Sequence, residues 1–230
     1  MKTPVVIALI VVLLIPLAIL VASKSNSTPS ATPTPTSASA SSTPSPSPTS
    51  MAYQDPADVA TAHKITLHTT DGDVSIDLFP EDAPLAVKNF VTLGKRGYYN
   101  NVVFHRIVKD FMVQSGDPTG TGSGGASIYG SVFPAEVSAK HTYSKGTLGM
   151  ARTSAPNSYG SQFFITTPSI GSSAIGALNG NYSAFGQVSE DTSLAVVAKI
   201  AATPVTTGDS GENSKPTQEV KITGFEIVTP

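Results

Sequence analysis

From residue 63 onward, hydrophobic and polar positions alternate in a way the first quarter of the chain lacks. Ile65 and Leu67, then Val74, Ile76 and Leu78, are spaced by polar residues, the two-residue period of strands with one covered face. Asp71-Gly72 lies between the two runs and predicts a hairpin turn. Glu81-Asp82-Ala83-Pro84 predicts the start of a helix, with Pro in the first turn and acids near its positive end. Val87, Phe90 and Val91 would form its buried face, and Gly94 would stop it. Further strand-like runs cover 102–107, 111–114, 146–151, 161–166, 184–188 and 220–228. A second helix is expected over 192–201, where Leu194, Val197, Ala198 and Ala201 share one face. Many short strands, Gly-rich turns and only two helices predict a mainly β domain, either a closed barrel or a sandwich.

The first quarter has a different pattern. Lys2 precedes an apolar run over 5–22, broken only by Pro16. Such a run sits at the lower limit of a membrane span, which needs about 18–20 apolar residues, and a secretory signal peptide shares its layout. Residues 1–23 are therefore expected to be a signal peptide or a membrane anchor. The length of the run, and Leu20 where a cleavage site wants a small residue, favour the anchor. Residues 24–60 form a Ser/Thr/Pro-rich linker with too few apolar side chains to offset ordering entropy, so disorder is expected. Asn26-Ser27-Thr28 within it is a glycosylation sequon. This layout puts the domain at 61–230 outside the cytoplasm, membrane-anchored by one N-terminal helix or secreted if the segment is cleaved.

Composition narrows the function classes. The formal net charge is −2, and no Lys/Arg run exceeds Lys95-Arg96, so no nucleic-acid partner is expected. The chain has no Cys, which excludes disulfides, thiol nucleophiles and Cys-ligated zinc. His63, His68 and His141 lack metal-ligand spacing, so no metal site is expected. The Gly-rich stretch 116–125 lacks the Gly-Lys-Ser/Thr ending of a phosphate loop and is read as a groove-side loop. No cofactor is expected.

Two segments carry the chemistry. The first is Phe104-His105-Arg106-Ile107-Val108-Lys109-Asp110-Phe111-Met112-Val113-Gln114-Ser115-Gly116-Asp117, and the second runs from Met150-Ala151-Arg152 through Tyr159-Gly160-Ser161-Gln162-Phe163-Phe164-Ile165. With Ser127-Ile128-Tyr129-Gly130 and Phe185-Gly186-Gln187-Val188, they resemble the signature stretches of the cyclophilins, peptidyl-prolyl cis-trans isomerases. The wording of 150–164 resembles bacterial members more than animal ones. The resemblance implies a closed eight-stranded antiparallel β-barrel capped by two α-helices, with an active groove on its outer face. It also implies that Arg106, Phe111 and Gln114 are catalytic, and that Met112, Ala151, Gln162, Phe164, Leu178 and Tyr182 bind substrate. Proline-containing unfolded or flexible polypeptides would be the partners, met by a monomer that assists folding. Ala177 stands where animal members often carry Trp, so weak cyclosporin binding is implied. The stretch 166–177 is also longer and richer in Gly and Ser than is usual in the family.

The chemistry fits a site without nucleophile or metal. An X-Pro bond rotates against a barrier of roughly 18–20 kcal/mol set by amide resonance, and no bond is made or broken. The site need only bind the twisted amide better than either planar form. Arg106 would hydrogen-bond near the prolyl nitrogen as its lone pair is freed. Phe111, Met112, Phe164 and Leu178 would clasp the ring, and Gln114 would hold a substrate carbonyl and help position Arg106. His105, next to Arg106, is read as a buried His hydrogen-bonded to backbone. The rival reading, a non-catalytic proline-peptide-binding module, is disfavoured by the intact Arg106, Phe111 and Gln114 set.

Overall fold

The structure, a computed structural model, describes residues 62–228. The expected signal peptide or anchor at 1–23 and all of the expected linker at 24–60 lie outside the described residues. Among the described residues no helix is long and apolar enough to cross a membrane.

The first hairpin forms where the alternation places it. Strands β1 (Lys64–Thr69) and β2 (Gly72–Leu78) pair antiparallel, with Thr69 opposite Gly72. The tight turn is therefore Thr70-Asp71, one residue earlier than expected, and Gly72 opens β2 at φ 134, a value open to Gly. Helix α1 (Pro84–Lys95) has Pro at its start, as expected. The acid at its positive end is not local, because its first turn carries none. Instead the Glu136 carboxylate accepts the Leu85 and Ala86 N–H groups, both at 2.9 Å. Gly94 does not stop the helix. It lies inside α1 because the Phe225 ring packs where a Cβ would stand, only 2.5 Å from the ring atoms. The chain turns at Gly97, with φ +70.

Eight strands form one antiparallel sheet. They include β3 (Arg106–Val108), β4 (Met112–Ser115), β5 (Thr147–Met150), β6 (Phe163–Thr166), β7 (Ala184–Val188) and β10 (Ile222–Ile227), in the order β10-β1-β2-β7-β5-β6-β4-β3. The expected closed barrel is corrected here: the sheet curls into an open half-barrel whose edge strands β3 and β10 share no ladder. Among the described residues, one bridge, Val103 with Lys221, and backbone bonds of Asn101, Val102 and Phe104 with Val220 and Ile222 span the gap. The strand expected over 102–107 is shorter for the same reason. Asn101 sits at φ 64, and the backbone joins regular pairing only at Arg106.

Two elements were not anticipated. A short helix α2 (Ser172–Leu178) fills the Gly/Ser-rich stretch, so the two expected helices become three among the described residues. A two-stranded ribbon of β8 (Val205–Thr207) and β9 (Asn213–Pro216) lies beside β3. Helix α3 (Asp191–Ala201) is rotated from the expected face. It buries Ser193, Val197 and Ile200 and leaves Ala198 exposed. Ile200 offers more apolar area than Ala198, and Ser193 Oγ accepts the Ser75 N–H at 2.9 Å.

The core lies on the concave side. Ile107, Val113, Leu148 and Ile165 point inward to join Phe90, Tyr99, Phe163 and Phe185, all almost wholly inaccessible. Met112, Tyr143, Phe164, Leu178 and Ala184 form a second, separate cluster. Strands β5 and β6 are buried on both faces, and so are most positions of β4.

Candidate active site

The second cluster is the floor of the candidate site. In β4 the side chains alternate, so Met112 and Gln114 face away from the core that Val113 enters. Register then builds a row across the sheet: Arg106 lies opposite Gln114, Gln114 opposite Phe164, and Phe164 opposite Gly149. Gly149 is required there, because a Cβ would come within 2.6 Å of the Phe164 ring and also strike the Tyr143 hydroxyl. Its absence lets Tyr143 stack on Phe164 at 5.8 Å, while the Tyr143 hydroxyl donates to Ser183 O at 3.1 Å.

The predicted apolar residues converge. Met112, Phe164 and Leu178 are buried in the second cluster, and Phe111, Ala151 and Tyr182 pack half-buried around it. Phe111 belongs to the β3–β4 turn and not to the strand. Asp110 takes φ 58, a left-handed conformation that Asp tolerates. Phe111 N–H donates to Val108 O, and Phe111 O accepts from Thr167 N–H. Ala151 N–H donates to Gln162 O at 2.9 Å. Tyr182 meets Phe164 edge-on at 6.0 Å and carries the Arg152 guanidinium 4.4 Å above its ring. Helix α2 delivers Leu178 and Ile175 to this wall.

The predicted polar residues form a chain along the opposite side. Arg106 Nη1 donates to Gln114 Oε1 at 3.1 Å and lies 3.8 Å from Met112 Sδ. Gln114 Nε2 donates to Gln162 Oε1 at 2.9 Å. Gln162 Nε2 donates to Gly122 O and Gly124 O, at 3.0 and 2.7 Å. The Gly-rich stretch is thus a loop that borders this polar chain. Asp117, wholly buried, organises it by accepting the Thr119, Gly122 and Gly124 N–H groups at 2.8 to 3.0 Å. Burial pushes the Asp117 carboxyl up, but the bonds from Thr119, Gly124 and Gly122 outweigh this and hold it below its ordinary range.

Sequence reasoning missed one charged neighbour. Glu212, in the turn before β9, accepts Arg106 Nε at 2.7 Å and Nη2 at 2.9 Å. Burial pushes its carboxyl up, yet the bonds and charge of Arg106 bring it below the ordinary carboxylate value. No local pattern pairs residues 106 apart, and the only signal was an acid in a polar turn. Tyr143 was missed too, because it lies in a loop segment. His105 departs from expectation. Its ring nitrogens are buried and meet no backbone partner among the described residues, and burial lowers its pKa.

Comparisons with known proteins agree with this geometry. The model of the family described as "Cyclophilin type peptidyl-prolyl cis-trans isomerase/CLD" matches residues 64–227. Peptidyl-prolyl cis-trans isomerase cypE of Dictyostelium discoideum is 45% identical over 167 residues, covering 70% of this chain and 96% of the relative. A putative peptidyl-prolyl cis-trans isomerase of Staphylococcus epidermidis is 55% identical over 102 residues, covering 44% of this chain and 51% of the relative. Similar proteins thus come from eukaryotes and bacteria alike, and the bacterial character read in 150–164 is not settled by them. A Cryptosporidium parvum cyclophilin-type isomerase, solved in the presence of the dipeptide Ala-Pro, superposes with TM-score 0.64 at 37% identity, covering 73% of this chain and 99% of that one. Matched across nearly all of its described residues, the chain belongs to the cyclophilin-type peptidyl-prolyl cis-trans isomerases and is an enzyme of that class.

Proposed function

We propose that the outer face of β3, β4 and β6 is the catalytic groove, that Arg106 is its catalytic residue, and that Gln114 and Phe111 complete it. The observation that carries this reading is the row in which Arg106, Gln114 and Phe164 stand side by side on three paired strands. A guanidinium with donors to spare thereby borders an apolar floor of Met112, Phe164 and Leu178. The proline ring packs on that floor with Phe111, Ala151 and Tyr182 at its border. Arg106 then donates toward the prolyl nitrogen, whose lone pair is available only when the amide is twisted, so the bond strengthens on the way to the transition state. Gln114 holds Arg106 by one N–H and is itself held by Gln162.

The substrates in this reading are X-Pro segments of unfolded or flexible polypeptides, whose uncatalysed exchange takes roughly tens to hundreds of seconds. The enzyme works as a monomer that assists folding, of bacterial type by the wording of 150–164. It acts outside the cytoplasm, held by or released from the apolar segment 5–22. A protease-coupled proline isomerisation assay tests the activity of this chain, with the Arg106→Ala protein beside it. A parental rate in that variant removes Arg106 from the mechanism and favours a binding module. Protease added to intact cells tests the location: a domain protected until lysis contradicts it.

A further inference from the structure

Resting on the reading of Arg106 as the catalytic group, we infer that Glu212 is a positioning residue that sets which edge of the Arg106 guanidinium faces the substrate. A guanidinium has five N–H donors in a fixed plane. The Glu212 carboxylate takes the fork formed by Nε and Nη2, at 2.7 and 2.9 Å, the paired geometry that fixes the plane of both groups. Gln114 Oε1 takes one hydrogen of Nη1, and the thioether of Met112 lies 3.8 Å from the same nitrogen. The Nη1–Nη2 edge is left to meet the amide. Without Glu212, one bond from Gln114 leaves the guanidinium free to rotate about its long side chain.

The opposing effect is charge. A carboxylate beside Arg106 weakens the field the guanidinium can offer to the substrate. Both side chains are partly exposed, at 25% and 36%, so solvent screens that attenuation. Orientation is not screened, and it dominates where one hydrogen bond must meet a lone pair. The same exposure makes the pair a weak contributor to stability. The turn that carries Glu212 is built by backbone: Gly208 N–H donates to Glu212 O at 2.8 Å, and Gly211 takes φ 78. Truncating the side chain therefore leaves the ribbon in place.

The test is a double-mutant cycle on isomerase activity, with melting curves for each protein. Glu212→Ala should lower kcat/KM roughly tenfold, mainly in kcat, with a parental melting temperature. Glu212→Gln keeps one acceptor oxygen and should fall between Ala and parent. The Arg106→Ala, Glu212→Ala double variant should be no slower than Arg106→Ala alone, because Glu212 acts through Arg106. A Glu212→Ala protein at or above the parental rate overturns the inference, as does a double variant whose loss is the product of the two single losses. If Arg106→Ala itself keeps the parental rate, the reading of Arg106 fails and this inference fails with it.

Discussion

Strands β3 to β6 face two ways, and the two faces differ in kind. Inward, Ile107, Val113, Leu148 and Ile165 join a large aromatic core in which almost nothing is accessible. Outward, the same strands present Arg106, Met112, Gln114 and Phe164, where a polar chain runs beside a small apolar floor. The inward face is held by close packing, the outward face by a smaller packed cluster, directed hydrogen bonds and an ion pair. On the reading proposed for the outward face, neighbouring residues on one strand serve stability and catalysis separately. The two-residue period of the strand is what divides them.

The largest effect should come from the inward face. Ile165→Ala removes a fully buried side chain and should lower the unfolding free energy by about 2–5 kcal/mol, read by urea denaturation. The protein that remains folded should isomerise at near the parental rate. A loss of specific activity as large as the loss of stability would mean that the faces are coupled.

Next comes the outward face. Arg106→Ala should cost about 2–4 kcal/mol of transition-state stabilisation, a fall of roughly 30- to 1000-fold in kcat/KM. Arg106→Lys keeps the charge without the planar fork and should restore activity only in part. Melting should change little in both, since Arg106 is only half-buried and its ion pair is partly exposed.

A smaller effect belongs to the Gly-rich loop that holds Gln162. Asp117→Asn removes acceptor strength from three backbone N–H groups and should destabilise by about 1–3 kcal/mol. Because the folded carboxyl titrates below its ordinary value of 3.8, its contribution is complete above that value. It is lost as pH falls through the lower folded value. Urea titrations should thus show this contribution intact from about pH 7 down to about pH 5, and the variant should lack the parental decline at lower pH. A decline already at neutral pH would contradict the direction.

The smallest effect is expected at the rim. Ala177, half-buried beside Leu178 at the end of α2, offers little contact area and no indole donor. Cyclosporin should bind weakly, and Ala177→Trp should tighten it by about 1 kcal/mol, read by calorimetric titration. No gain would mean that the rim of the pocket lies elsewhere.

Much of this was legible in the sequence, for identifiable reasons. Period-two alternation gave β1 and β2, and the motif around Phe104–Asp117 gave the residues that now share one face. Arg106, Gln114, Gln162, Met112, Phe164 and Leu178 do converge. What the sequence hid depends on long-range geometry. Closure of the sheet turns on whether edges meet, which no local pattern encodes, and here one bridge replaces a ladder. The reading of Gly94 as a helix stop failed because a ring 131 positions later, Phe225, occupies the space of its missing side chain. Glu212 was invisible because a polar turn between short strands gives no hint of its distant partner. The α2 helix was masked by Gly and Ser, which lower helical propensity.

Val113 and Gln114 provide the most direct measurement, since they are adjacent on β4 and face opposite ways. Unfolding free energy and kcat/KM should be measured together for Val113→Ala and Gln114→Ala. Val113→Ala should lose about 1–3 kcal/mol of stability and keep its specific activity. Gln114→Ala should lose about tenfold in kcat/KM, by loosening Arg106, while its stability stays within about 1 kcal/mol of the parent. If both variants lose stability and activity in proportion, the two faces are not separate and the account is wrong.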